Sequence, residues 1–397
     1  MEYIPPKRLF ITTDCGFGRE GLSRVISAIA IPQSARRDTQ FRAVAVWLFG
    51  CCALIVLMVV VGGITRLTLS GLSITEWKPV IGIIPPLSTA GWAAEFAKYK
   101  QIPEYQAIHS GITLAEFKGI FYWEYAHRLL GRLIGVAFAV PFLWFLVQRQ
   151  LPRRLAAPLA IILLFGSAQG VLGWYMVKSG LADRIEVSQY RLVAHLGLAL
   201  AIYSAILWTA LGLLRSSARN PLPNPCPQAG ERRVGVGWRR AADAILALVA
   251  LTILAGGFVA GTRAGLTYNT FPLMYGRLVP AGYGQLQPFY LNWFDNIAAV
   301  QFDHRVLALT VAAIVLVIWA AGLHARLPKP ARTALHLLLL AAALQVALGI
   351  GTLLLVVPLP LAAAHQAGAV LLLTAAIYFR HTLRPAEPMD AGVAAPI

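Results

Sequence analysis

The sequence predicts an all-α integral membrane protein: eight transmembrane helices forming two parallel four-helix-bundle repeats, with both termini cytoplasmic. Three observations predict it. Of the 397 residues, 58% are hydrophobic and only 13% are charged, where a soluble globular chain carries roughly a quarter charged residues. The apolar runs are about 20 residues long, which is what a bilayer core requires. The chain also repeats itself. Gly62-Gly63-Ile64-Thr65-Arg66 and Ser70-Gly71-Leu72 align without gaps on Gly256-Gly257-Phe258-Val259-Ala260 and Ala264-Gly265-Leu266. Gly82 and Pro86 meet Gly276 and Pro280 at the same offset, and Gln169 with Leu172-Gly173 later matches Gln345 with Leu348-Gly349. Each half holds an even number of spans, so both halves share one orientation and are related by an axis along the membrane normal.

Residues 1–41 read as a disordered basic cytoplasmic tail, with Arg8, Arg19, Arg24, Arg36 and Arg37. They lack the uninterrupted apolar core of a secretory signal, and Asp14, Glu20 and Asp38 argue against a transit peptide. Residues 42–215 form the first bundle, with spans near 43–65, 127–148, 156–177 and 191–214. Residues 216–240 form a cytoplasmic linker. Its run from Arg219 to Pro227 holds repeated proline, which forbids helix, and Arg232, Arg233, Arg239 and Arg240 follow. Residues 241–380 form the second bundle, with spans near 242–262, 304–325, 333–356 and 361–380, and 381–397 is a cytoplasmic tail.

Basic residues crowd alternate connections: Arg149, Arg153 and Arg154; then Arg215 to Arg240; then Arg326, Lys329 and Arg332; then Arg380 and Arg384. The positive-inside tendency puts these in the cytoplasm and the connections 66–126 and 263–303 outside. The formal charge of +17 therefore needs no nucleic acid as partner. Of the four cysteines, Cys51 and Cys52 lie in the first span, Cys15 in the tail and Cys226 in the linker, so neither a loop disulfide nor a metal-type spacing is available.

The chemistry lies in histidines. Glu124-Tyr125-Ala126-His127-Arg128 stands where a polar loop gives way to an apolar run, and Gln301-Phe302-Asp303-His304-Arg305 repeats it downstream. Two spans after each comes another histidine, His195 and then His365. A histidine in the apolar layer is costly unless something satisfies it. A lone one commonly hydrogen-bonds a neighbouring helix. Two at one depth on facing helices could ligate a haem iron from opposite sides, given a flat apolar slot. Gly131, Gly135, Gly197 and Gly368 are the small residues expected to make room. Arg66 and Arg128 in the first half, and Arg263 and Arg305 in the second, could supply positive charge for propionates. One difference breaks the symmetry: Glu124 can titrate and take part in proton transfer, and Gln301 cannot. The first half therefore reads as reactive and the second as a supporting cofactor site, unless Glu124 only pairs with Arg128 on an exposed helix end.

These residues resemble the haem A synthase family. The likeness rests on Gly62-Gly63 with Thr65-Arg66-Leu67-Thr68, Ser70 to Ile74, Trp77-Lys78-Pro79 and Pro85-Pro86. It continues through Glu124-Tyr125, His127-Arg128-Leu129 and Gly131-Arg132, and in the second half through Gly261 to Gly265 and Tyr268 to Met274. It covers about residues 42 to 380.

The resemblance implies an oxidoreductase that converts a methyl group of haem O to a formyl group by successive hydroxylations, giving haem A for terminal oxidases. It places a haem b cofactor on His304 and His365, the substrate haem on His127 and His195, and catalysis on Glu124. It implies haem O synthase and an electron donor as partners, in the bacterial inner membrane or, as the alternative, the mitochondrial one. Some family members carry a cysteine pair in the first external loop; here Leu67 to Ala126 holds no cysteine, so a loop disulfide is not the electron route, and the donor stays unidentified. The sequence leaves an oligomer open. A two-haem b-type electron-transfer cytochrome is the rival reading. A transporter is another, against which stand charged residues confined to span edges.

Overall fold

An apolar run crossing a bilayer must satisfy its own backbone hydrogen bonds, and the helix does so within one segment. In the computed structural model, which describes residues 33–77, 81–183, 186–217 and 235–385, eight helices are long and apolar enough to cross. In chain order the helices are α1 (Gln33–Leu67), α2 (Thr89–Tyr99), α3 (Pro103–Ala107), α4 (Leu114–Val147), α5 (Arg153–Asp183), α6 (Gln189–Ser217), α7 (Val236–Gly261), α8 (Asn292–Asp295), α9 (Ile297–His324), α10 (Lys329–Leu354) and α11 (Leu359–Thr382). All but α2, α3 and α8 are membrane-spanning candidates. The protein is a multi-pass membrane protein.

The duplication read from the sequence is visible in the packing. In the first set α1 packs on α4 and α6, and α5 packs on α4 and α6; in the second, α7 packs on α9 and α11, and α10 packs on α9 and α11. The sets meet reciprocally, α6 against α7 and α11 against α1, with α6 also touching α11. Close approach at this seam uses small residues, as helix packing in lipid generally does. The Gln366 side chain of α11 lies over Gly63 of α1, and Val193 and Leu196 of α6 lie over Gly257 of α7. One core of buried side chains runs through both sets, including Leu48, Ile206, Ala210, Ile245, Leu338 and Phe379. Large apolar side chains such as Val46, Val140, Leu164, Val317 and Leu340 remain exposed, as a lipid-facing surface requires.

Boundaries differ from the sequence reading where local capping outweighs apolarity. Helix α4 begins at Leu114, well before the expected 127, because Thr113 and Glu116 form a reciprocal capping box that nucleates it. The expected first external loop is therefore partly helical, with α2 packed on the extension of α4 and α3 packed on α5. Trp92, Phe96, Tyr99, Phe117 and Phe121 form the cluster between α2 and α4. Residues 33–41 and 236–240, read as tail and linker, are helical. Residues 1–32, 78–80, 218–234 and 386–397, with Cys15, Lys78-Pro79, Cys226 and the proline run, lie outside the described residues.

The long connections between α1 and α4 and between α7 and α9 leave the same end of the bundle, called here the loop end. Both open with a backbone that sequence repetition predicts to match: Leu69 and Arg263, equivalent at the repeat offset, both adopt left-handed φ values, 53° and 55°. At the second, Asn296 caps α9 by accepting from the amides of Ala298 and Ala299.

Candidate functional site

Each of the four histidines sits on a different helix of its set and leans on a glycine of a neighbouring helix. A Cβ placed on Gly62 of α1 would lie 2.9 Å from Cε1 of His127. The matching distances are 3.0 Å from Gly173 of α5 to His195, 2.9 Å from Gly256 of α7 to His304, and 2.9 Å from Gly349 of α10 to His365. Real Cβ atoms are essentially never found closer than 3.0 Å, so at Gly62, Gly256 and Gly349 only glycine lets the imidazole seat there, and at Gly173 a Cβ would force His195 to shift. These glycines stand at aligned repeat positions. At the four glycines expected to make room, a Cβ would meet Met58 at Gly131, Leu254 at Gly197 and Gln345 at Gly368, and nothing within 4 Å at Gly135.

Replacing Gly349 by alanine is therefore expected to push His365 aside and, on the ligation that the resemblance implies, to lower the haem retained per chain in purified protein. Gly351→Ala, whose nearest neighbour would be Leu361 at 4.0 Å, should leave it unchanged. Pyridine haemochrome spectra against protein concentration would measure both.

In the second half the ring centres of His304 and His365 lie 6.5 Å apart with planes at 88°. A metal–imidazole bond is about 2 Å. Two such bonds in line, with half a ring at either end, come to about 6 Å, so one metal ion fits between these rings with little movement. Among the described residues no group of three or more His, Cys, Asp or Glu could hold a metal. A metal held by these two imidazoles would need further ligands of the kind a porphyrin carries. His304 is also oriented: its Nδ1 lies 3.1 Å from the Thr252 carbonyl oxygen, which makes Nδ1 the N–H donor and frees Nε2 for a metal. In both halves a glutamine amide donates to the backbone carbonyl of the second histidine, Gln169 to His195 at 2.9 Å and Gln345 to His365 at 3.0 Å. The Nδ1 atoms of His127, His195 and His365 are buried without a protein partner. Such a nitrogen is costly in apolar surroundings, a cost that metal ligation at the same ring would offset.

Glu124 lies within α4, not at a loop edge, and only 3% of it is exposed. Its Oε2 accepts from the Ser73 hydroxyl at 2.8 Å and the Ile74 amide at 2.7 Å. Its Oε1 accepts from Arg128 Nε at 3.0 Å and Nη2 at 2.6 Å. The pair with Arg128 thus exists, but it is buried instead of standing on an exposed helix end. Gln301 occupies the same place in the second half, 2% exposed, with the polarity reversed. Its Nε2 donates to the carbonyls of Ala264 at 2.8 Å and Thr267 at 2.7 Å, and its Oε1 accepts from Arg305 at 3.1 Å. Thr267 is the repeat equivalent of Ser73. One loop offers hydrogens to a carboxylate, and its copy offers oxygens to an amide.

The four arginines expected near propionates all have protein partners. Arg128 donates to the Ile74 and Glu76 carbonyls as well as to Glu124, and Arg305 donates to the Tyr268 and Thr270 carbonyls. Arg66 and Arg263, from opposite halves, converge on Glu186 at 2.7 Å and 2.5 Å. Arg66 also donates to the Gly261 carbonyl at 3.1 Å, tying the halves together at the loop end. Sequence reasoning did not single out Glu186, Ser73, Thr252 or the four seating glycines. The glycines alone had a signal, since the repeat alignment already paired Gly62 with Gly256 and Gly173 with Gly349.

Residues 45–377 match the model of the COX15-CtaA family, described as cytochrome oxidase assembly protein. The chain is 52% identical over 362 residues to a protein of Nitrosospira multiformis named heme A synthase, covering 90% of this chain and 99% of that one. It is 51% identical to the heme A synthase of Nitrosomonas eutropha, covering 84% and 92%. It is 52% identical to that of Rhodospirillum centenum, covering 91% and 93%.

Proposed function

The chain belongs to the COX15-CtaA family of cytochrome oxidase assembly proteins, and from that membership we propose that it is a haem A synthase of the bacterial inner membrane. The reaction is oxidation of a methyl substituent of haem O to the formyl group of haem A. The observation that carries the division of labour is the acid: a buried carboxylate, Glu124, stands three residues before His127 on its helix, and a buried neutral amide, Gln301, stands three residues before His304.

His127 and His195 hold the substrate haem by its iron. His304 and His365 hold haem b, which supplies one-electron transfer when bound. The seating glycines let each imidazole pack closely against a neighbouring helix, which limits how far the ring can turn. Glu124 is held on both oxygens by Ser73, Ile74 and Arg128. A carboxylate fixed in this way needs little reorganisation when it takes or returns a proton at Oε1 or Oε2 during oxidation of the methyl, or when it faces positive charge at that carbon. Its desolvated surroundings strengthen either interaction. Haem O and the enzyme that makes it are the expected partners, with a reductant that does not act through a cysteine of the 67–126 connection, which has none.

The test is to purify the protein from membranes supplied with haem O, extract the porphyrins and separate them by mass. The expected product is haem A. Extracts holding only haem b and unconverted haem O would instead support a two-haem electron-transfer cytochrome.

A further inference from the structure

At the loop end lies a small cavity lined by residues that include Arg66, Leu69, Leu72, Glu104, Glu186 and Val187, with a volume of about 30 Å³. A cavity of about 10–15 Å³ holds one water, so this one has room for two. Two of its lining side chains carry buried polar atoms that meet no protein partner: Nε of Arg66, a donor, and Oε2 of Glu104. Glu104 comes from α3, is 3% exposed, and takes no part in the histidine sites. A carboxyl group so far from water with an open oxygen is unusual unless something occupies the space beside it.

We propose that this cavity is a built water site in which water bridges Arg66 Nε and Glu104 Oε2, and that Glu104 exchanges a proton with that water. Glu104 gives the proton from its carboxyl group to the water and becomes a carboxylate; the reverse transfer restores the acid. Burial, with Glu124 and Glu186 adding negative charge, raises the Glu104 pKa to about 8 despite Arg66 and Arg263. Glu104 is thus a neutral acid at neutral pH and ionises just above it. The groups facing it are Arg66 from α1, Tyr99 from α2, Glu124 from α4, Glu186 ahead of α6 and Arg263 after α7. When Glu104 ionises, the cluster gains a negative charge. That charge weakens the positive field of Arg66 and Arg263 for an anionic substrate group, and it lies within electrostatic reach of Glu124.

The effect on turnover rests on the proposed function; the water site does not. Infrared difference spectra of the purified wild-type protein, recorded on either side of about pH 8, are expected to show a protonated carboxylic carbonyl band lost at high pH and shifted in heavy water. Glu104→Gln should remove that band, and Glu104→Asp should move it. A band absent from wild type below that pH, or unchanged in Glu104→Gln, would overturn the proposal. In membranes making haem A, wild-type production should fall as pH rises through this range, while Glu104→Gln should keep a flat profile. The same alkaline decline in Glu104→Gln would also overturn it. No haem A from wild type under any condition would instead count against the proposed function, with the infrared result standing by itself.

Discussion

Glu124→Gln is expected to lower haem A formation by about 10²–10⁴-fold, the range over which a positioned acid–base group contributes, while both haems remain bound. The separation of effects follows from geometry. Position 124 is not a metal ligand, and its copy in the second half shows that a glutamine is accommodated beside an arginine four residues on, as Gln301 is beside Arg305. The substitution is still not neutral for the fold. Gln301 donates to two carbonyls, whereas a glutamine at 124 would set an N–H₂ group among the donors of Ile74 and Arg128. Part of that misfit is relieved by the Ser73 hydroxyl, which can turn and accept. A modest loss of stability, on the order of 1–3 kcal/mol for a mismatched buried polar group, should therefore accompany the loss of product. Extracted haem O accumulating in place of haem A, with an unchanged haem-to-protein ratio, is the result to look for. A normal haem A yield would remove Glu124 from the chemistry.

The second large effect is expected at His304. Replacing it by alanine removes one of two rings 6.5 Å apart and the only one of the four histidines whose Nδ1 meets a protein carbonyl. An iron left with one imidazole has lost an axial bond, and the slot has gained a void, so the second-half haem should be lost outright. On the proposed assignment, haem A production should fall with it, since electrons would then have no resident carrier. His127→Ala is expected to differ: it should spare the second-half haem and abolish conversion. Spectra of the two variants, each compared with wild type for haem per chain and for the porphyrins extracted, would tell the halves apart. Equal haem content in His304→Ala and wild type would refute the assignment.

What the sequence disclosed and what it hid divide along physical lines. The eight spans follow from local apolarity, and the histidine pairs from duplication, because a repeated polar residue in an apolar run stands out without any tertiary knowledge. The start of α4 was misplaced although Thr113 and Glu116 spell a capping box, because a polar helix projecting beyond the apolar run carries no hydropathy signal. The seating glycines were already aligned as repeats, but which glycine faces which imidazole depends on helix rotation, which periodicity leaves free in helices apolar all round. Gly131, Gly135, Gly197 and Gly368 are nearer in sequence to the histidines, yet a Cβ on them would meet no imidazole. Glu104 and Glu186 had no local mark. Their burial and their arginine neighbours arise when segments far apart in the chain meet at the loop end.

The carbonyl of Thr252 carries a consequence for how long each guest stays. An imidazole that donates its second ring hydrogen to a carbonyl is a stronger and better aimed ligand, and His304 has this tether while His127 has none. On the proposed assignment, the half that keeps its haem through every cycle has the anchored ligand. The half that must release its product lacks this tether on the equivalent ring, so unequal exchange rates would be set by one hydrogen bond to a backbone carbonyl of α7.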